Sequence, residues 1–246
     1  MNNRLKLFLT AGIVFLFLFS SCNGNESKTA TANTDSTVTN SDAKTKTSES
    51  TVVTTPENVM EVWHKVADFT KWEASYNAHD SMRVSSGIHK YLIGRDVDDT
   101  NMILVAAKVD DISKAKAFAK DPSLKAVMQK GGVIGVPSIA INTMVYQDNA
   151  KNMSDLRSIT MFTVKDFDVW KSAFENHRLT RIDNGLTDRA YGYNAEDQHK
   201  VVVVVGINDS AKAYAFWKSD ILKKQRAESG VIGDVKRHVY RIVKKY

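Results

Sequence analysis

Residues 66–87 of this chain lie over residues 164–185 without a gap, and no other sequence feature constrains the fold as much. VADFTKWEASYNAHDSMRVSSG aligns with VKDFDVWKSAFENHRLTRIDNG. At the same offset of 98 residues, DDISKAKAFAKDPSLKAVMQKGGVIG aligns with NDSAKAYAFWKSDILKKQRAESGVIG. Roughly a quarter of the aligned positions are identical and most other apolar positions stay apolar, which marks two copies of one unit over 57–148 and 156–246.

Each copy reads as strand, helix, strand, strand, helix, strand. In the first, a strand near 61–67 precedes a helix that Asp68 caps and that runs to about 85, where Gly87 stops it as Gly185 does in the second copy. Strands over 88–95 and 102–109 follow, joined by the polar turn DVDDTN; the second copy has NAEDQH and the apolar run VVVVVG. Asp111 caps a second helix through 120, and Pro122 restarts a short helix at its favoured first position. The last strands are expected over 137–146 and 235–243, and the basic C-terminal run KRHVYRIVKKY reads as a solvated sheet edge.

A βαββαβ unit of about 90 residues is the ferredoxin-like α+β arrangement, with helices on one face of a four-stranded sheet. The bare face needs a cover, and the second copy supplies it. The D-F-x-x-W, H-x-x-x-R, D-x-x-K-A-x-A-F and G-V-I-G runs resemble the dimeric α+β-barrel superfamily, which includes antibiotic-biosynthesis-monooxygenase-like domains. That resemblance implies two units pairing sheet to sheet, here as an intrachain α+β barrel in which the repeats partner each other. Its motifs are structural and name no reaction.

Phe69, Trp72, Tyr76, His79 and Arg83 fall at spacings of 3, 4, 3 and 4, one face of a helix, and Phe167, Trp170, Phe174, His177 and Arg181 repeat them. Packing against a sheet accounts for Trp72 and Trp170. The imidazoles and guanidiniums on that stripe need partners. In one reading His79 and His177 line a pocket as acid/base or hydrogen-bonding groups, and Arg83 and Arg181 hold an anionic ligand. In the other, the histidines are satisfied at the edge of the core and the arginines reach outward beside a helix end. The histidines are the sharper candidates. The last strand of copy one is nearly uncharged, whereas copy two carries Lys236, Arg237 and His238, so an apolar pocket retained in one copy alone is expected in the first.

Ahead of the repeats, Arg4 and Lys6 precede an apolar run over 7–19, too short to span a bilayer, and Ser20 and Ser21 lead into Cys22, the chain's only cysteine. This resembles a bacterial lipoprotein signal, with Phe19 in place of the usual Leu. It implies cleavage of 1–21 and acylation, palmitate included, of Cys22, hence a lipid bilayer as partner and residence in the cell envelope. Asn23 rather than Asp favours the outer membrane over the inner. Residues 22–56, rich in Ser and Thr and without aromatics, read as a disordered tether.

The net charge of +6 is modest for 246 residues and names no partner, and an exported chain is not expected to bind nucleic acid. Six scattered histidines and no other thiol give no metal site, and with neither a phosphate loop nor a nucleophile elbow no cofactor is expected. The function this supports is an envelope lipoprotein binding a small apolar or aromatic ligand. The alternatives are a cofactor-independent monooxygenase-like enzyme and a protein-interaction scaffold.

Overall fold

A computed structural model of the chain describes residues 50–151 and 154–246; Cys22, the apolar run and the tether up to residue 49 lie outside the described residues. The first half runs β1 (Val52–Val53), β2 (Glu57–Val66), α1 (Phe69–Ala78), α2 (Asp80–Val84), β3 (Ile88–Asp96), β4 (Met102–Val109), α3 (Ile112–Lys120), α4 (Pro122–Lys130) and β5 (Val133–Asp148). The second runs β6 (Leu156–Val164), α5 (Phe167–Asn176), α6 (Arg178–Asp183), β7 (Leu186–Asn194), β8 (Asp197–Ile207), α7 (Ser210–Trp217), α8 (Asp220–Glu228) and β9 (Val231–Lys245).

An aspartate starts each main helix: the side chains of Asp68, Asp111, Asp166 and Asp209 each accept from the backbone N–H three residues on, at 2.7–3.0 Å. Gly87 and Gly185 close the helical segments with φ of +67° and +72°, a conformation that costs a Cβ-bearing residue.

The sheet order is β5-β2-β4-β3-β9-β6-β8-β7, and β7 pairs back onto β5, so eight antiparallel strands close into a barrel. The fold is α+β, two successive βαββαβ units joined as an intrachain barrel. Their inner faces meet across it, and their edges also pair, β3 with β9 and β5 with β7. The seams correspond: Gly94 lies opposite Ile242, and Gly192 opposite Met144. A Cβ on Gly192 would meet Met144 Cα at 2.7 Å, and one on Gly94 would strike the Tyr240 ring. Each glycine lets a neighbouring strand or ring come close.

Two expectations change. The C-terminal strand is not an edge: β9 is paired on both sides, with β3 and β6. Lys236, Arg241 and Lys245 stay exposed, while Lys244 pairs with Glu73 at 2.8 Å and Arg237 lies over the Trp217 ring. The segment assigned to the tether also contributes structure, since Val52 and Val53 pair with Asp148 and Gln147 of β5, and Thr51 Oγ1 donates to Asp148 at 2.8 Å.

Alternation along each strand divides the core. Val59, Leu104, Ile159, Val202, Tyr240 and Ile242 fill the barrel. The opposite faces pack against helices, around Trp72, Ile103 and Phe118 in the first half and Trp170, Val203 and Phe216 in the second.

Candidate ligand clefts

Each half has a cleft between its helices and the outer face of its sheet. The first, about 760 Å³ including its mouth, brings Trp72, His79 and Arg83 together; the second, about 650 Å³, brings Trp170, His177 and Arg181 together. Both halves therefore have a cleft, so the condition of a pocket retained in one copy alone does not arise. The difference between the halves lies in what the clefts present.

The histidines of the stripe sit at breaks rather than in a continuous helix. His79 has φ −103° and ψ 29° and joins α1 to α2; His177, at φ −90° and ψ 15°, joins α5 to α6. His79 Nδ1 donates to the Ser75 carbonyl at 2.7 Å, so its ring is anchored with one nitrogen left over. Trp72 and Trp170, 4% and 2% exposed, are core residues and also cleft walls.

The arginines are used internally. Arg181 makes a two-pronged pair with Asp188, both bonds 2.7 Å, donates to the Phe174 carbonyl at 2.7 Å and lies 3.5 Å over the Phe174 ring. Arg83 repeats this, donating to the Tyr76 carbonyl at 2.6 Å and lying 3.8 Å over its ring, but its carboxylate is Asp80 at 3.0 Å. Asp80 also pairs with Lys90, which occupies the place that Asp188 has in the second half. The counter-charge has moved from strand to helix while the arginine stays. Both guanidiniums brace the helix break; all three nitrogens of Arg181 are engaged, whereas Arg83 Nε is buried without a partner.

Two further residues of this cleft carry polar atoms without partners. His64 on β2 is 4% exposed, and both ring nitrogens lack a hydrogen-bond partner among the described residues. Burial pushes its pKa down to about 4, so the ring is neutral at physiological pH, one nitrogen a donor and the other an acceptor. The Tyr76 hydroxyl is likewise buried and unpartnered, with burial raising its pKa to about 12. Trp72 lies between them, 5.3 Å from the His64 ring and stacked on Tyr76 at 5.2 Å. The other walls are mostly apolar, among them Met60, Ile88, Phe118 and Leu124.

Strand pairing shows that the halves match position by position: Val62 faces Val105 and Ile139, and Thr160 faces Val203 and Arg237. By that correspondence His64 stands where the second half has Phe162, and Tyr76 where it has Phe174. The comparison of copies that located the helical stripe therefore also contained the signal for His64 and Tyr76, as a polar residue replacing an aromatic hydrocarbon in a core position.

A third cavity lies inside the barrel, lined by Val59, Leu104, Met144 and Tyr240 together with Glu61 and Arg157. Glu61 is 4% exposed and its pKa is raised to about 7 by burial, which a hydrogen bond from Asn142 only partly offsets. Arg157 is 3% exposed and donates to the carbonyls of Ser154 and Leu156. Among the described residues no group of three or more His, Cys, Asp or Glu side chains could hold a metal ion.

No family model and no curated protein matches the chain. Among solved structures it is similar to an anthrone oxidase-like protein at 9% identity, covering 79% of this chain and 95% of that one with a TM-score of 0.55. It is also similar to a putative monooxygenase from Fusobacterium nucleatum subsp. nucleatum at 13% identity, covering 76% of this chain and 93% of that one with a TM-score of 0.50. At these identities the likeness shows the fold alone.

Proposed function

We propose that the first half's cleft binds a small, uncharged aromatic molecule bearing a hydroxyl or carbonyl oxygen. The observation that carries this is His64 and Tyr76: two buried polar side chains without protein partners in an apolar cleft, where the corresponding side chains of the other half are phenylalanines. A buried polar atom left unpaired costs roughly 1–3 kcal/mol, and a ligand oxygen reaching the imidazole or the phenol would recover that. Trp72 and Phe118 supply flat and edge contacts for a ring. The test is calorimetric titration with naphthol and with naphthalene. Naphthol should bind about tenfold or more tightly than naphthalene, and His64→Phe should abolish the difference. Equal binding of the two probes would overturn the reading.

An enzymatic reading rests on the same pair. The two structural neighbours described above carry oxidase and monooxygenase descriptions, and the neutral His64 ring could hold the hydroxyl of a bound phenol by a hydrogen bond in a water-poor cleft. A cofactor-independent reaction would then take its two electrons and two protons from the substrate itself, converting a hydroquinone and O₂ into a hydroxyquinone and water, which oxygen consumption with a panel of hydroquinones would detect.

The same proposal takes the two halves as tandem copies of one ancestral unit and the chain as a lipoprotein, cleaved before Cys22 and anchored by acyl chains in the cell envelope, the outer membrane in preference to the inner. Support comes from the basic residues, the apolar run and the placement of the only cysteine. Incorporation of labelled palmitate by the whole chain, absent in Cys22→Ser, tests it.

A further inference from the structure

The second half's cleft has its own chemistry. Where the first half has Ala119, Met128 and Ile139, the second has Trp217, Arg226 and Arg237, and all three line its cleft. An apolar wall has become an indole and two guanidiniums. Arg237 Cζ lies 4.2 Å from the centre of the Trp217 ring, and its Nε donates to Thr160 Oγ1 at 3.1 Å. Thr160 replaces Val62 of the first half, so the arginine and the hydroxyl that orients it are both specific to this side. Neither Arg226 nor Arg237 has a carboxylate within ion-pair distance among the described residues. Asp96 on the far side of Arg237 is taken up by His238 at 3.6 Å and by the backbone N–H groups of Asp98 and Asp99.

Two cations beside one cleft without a protein anion are unfavourable as they stand. Burial lowers the pKa of both, Arg237 to about 10, with the charge of Arg226 adding to the effect there. Arg226 lies in the last turn of α8, where a helix end favours a cation, but that modest attraction does not reach Arg237 on β9. Among the other walls are Phe162, Trp170 and Phe174, which would face a ring.

We propose that this second cleft is a binding site for a planar aromatic carboxylate, its ring among Trp170, Phe174 and Trp217 and its carboxylate held by Arg226 and Arg237. Guanidinium forks match a carboxylate in geometry as well as charge. The site is separate from the first cleft, whose guanidinium, Arg83, is paired with Asp80, so the chain would carry two ligands of different character.

The probe is naphthoate, titrated calorimetrically into the protein alongside naphthamide, its uncharged analogue, and inorganic phosphate. Naphthoate should bind at least about tenfold more tightly than either, weaken as salt is raised, and quench tryptophan fluorescence. Arg226→Met and Arg237→Ile, which install the first half's residues, should each reduce naphthoate binding about tenfold or more and leave naphthol binding in the first cleft unchanged. Equal affinity for naphthoate and naphthamide, phosphate binding as tight as naphthoate, or full affinity in a folded Arg226→Met protein would each overturn the proposal. His64→Phe should leave naphthoate binding intact, which keeps a failure here distinct from a failure of the first cleft.

Discussion

Glu61 offers a quantitative test of how the barrel interior is built. Its carboxyl sits among Val59, Leu104 and Tyr240 with no cation paired to it, and burial lifts its pKa from 4.5 to about 7. Below pH 4.5 the folded and unfolded chains are both protonated there, and the residue is neutral in its effect on stability. As pH rises toward 7 the unfolded chain gives up the proton that the folded barrel retains, so folding stability falls through that window and the full penalty is present above it. Each pH unit between the two values is worth about 1.4 kcal/mol, which makes the penalty about 3 kcal/mol at pH 8. Glu61→Gln keeps the shape and the contact with Asn142 and cannot ionise. At pH 8 it should therefore be the more stable protein by about 3 kcal/mol, a shift of about 1 M in the urea midpoint for a slope of about 2–3 kcal/mol per M. At pH 4.5 the two proteins should unfold together. Urea titrations followed by tryptophan fluorescence at both pH values decide it. A difference between wild type and variant that is the same at both would refute the argument, because a packing effect does not follow a proton.

Three further outcomes follow from particular contacts. His64→Phe, which removes two unpartnered buried nitrogens and installs the residue of the other half, should stabilise the unliganded protein by about 1–2 kcal/mol in urea unfolding while abolishing the preference for naphthol. Arg181→Met leaves Asp188 buried and unpaired and should cost about 3–5 kcal/mol, most of it regained in the Arg181→Met, Asp188→Leu double variant. Gly192→Ala drives a methyl group into the β5 backbone at the β5–β7 seam and should cost about 2 kcal/mol or more, with faster hydrogen exchange along that seam.

Much of the architecture was legible because it depends on local rules. Asp68, Asp111, Asp166 and Asp209 begin helices where a side-chain acceptor precedes an amphipathic run, and β4 occupies the expected 102–109 span. What could not be read is set by non-local pairing. The run KRHVYRIVKKY has the lysine-rich alternation of an exposed edge, and nothing within it shows that β3 will lie alongside. The break at His79 escaped helical periodicity for a related reason. An imidazole that bonds the carbonyl four residues back competes with the helix for that acceptor, and the spacing of apolar residues does not register it. Of the stripe residues, Trp72, Trp170, Arg83 and Arg181 are buried and also line the clefts, so the pattern retained in both halves marks shared packing without separating it from ligand binding.

The positions that differ between the halves are more informative about ligands than those that agree. Residues held in common must satisfy two sites at once, and the barrel needs the same helix brace on both sides, so Arg83 and Arg181 persist even though their carboxylates sit on different elements. A residue that differs inside otherwise matching walls is released from that shared demand. His64 and Tyr76 against Phe162 and Phe174, and Arg226 and Arg237 against Met128 and Ile139, are changes of this kind: the first two put unpartnered polar atoms, and the last two cations without a carboxylate among the described residues, where the other half shows that hydrocarbon suffices for folding. If those groups served stability, exchanging them for the other half's residues would weaken the protein. If they serve ligands, the exchange should leave the protein as stable or more so and remove binding from one cleft at a time. Each half thus acts as the control for the other, and reciprocal exchange at those four positions separates the two explanations.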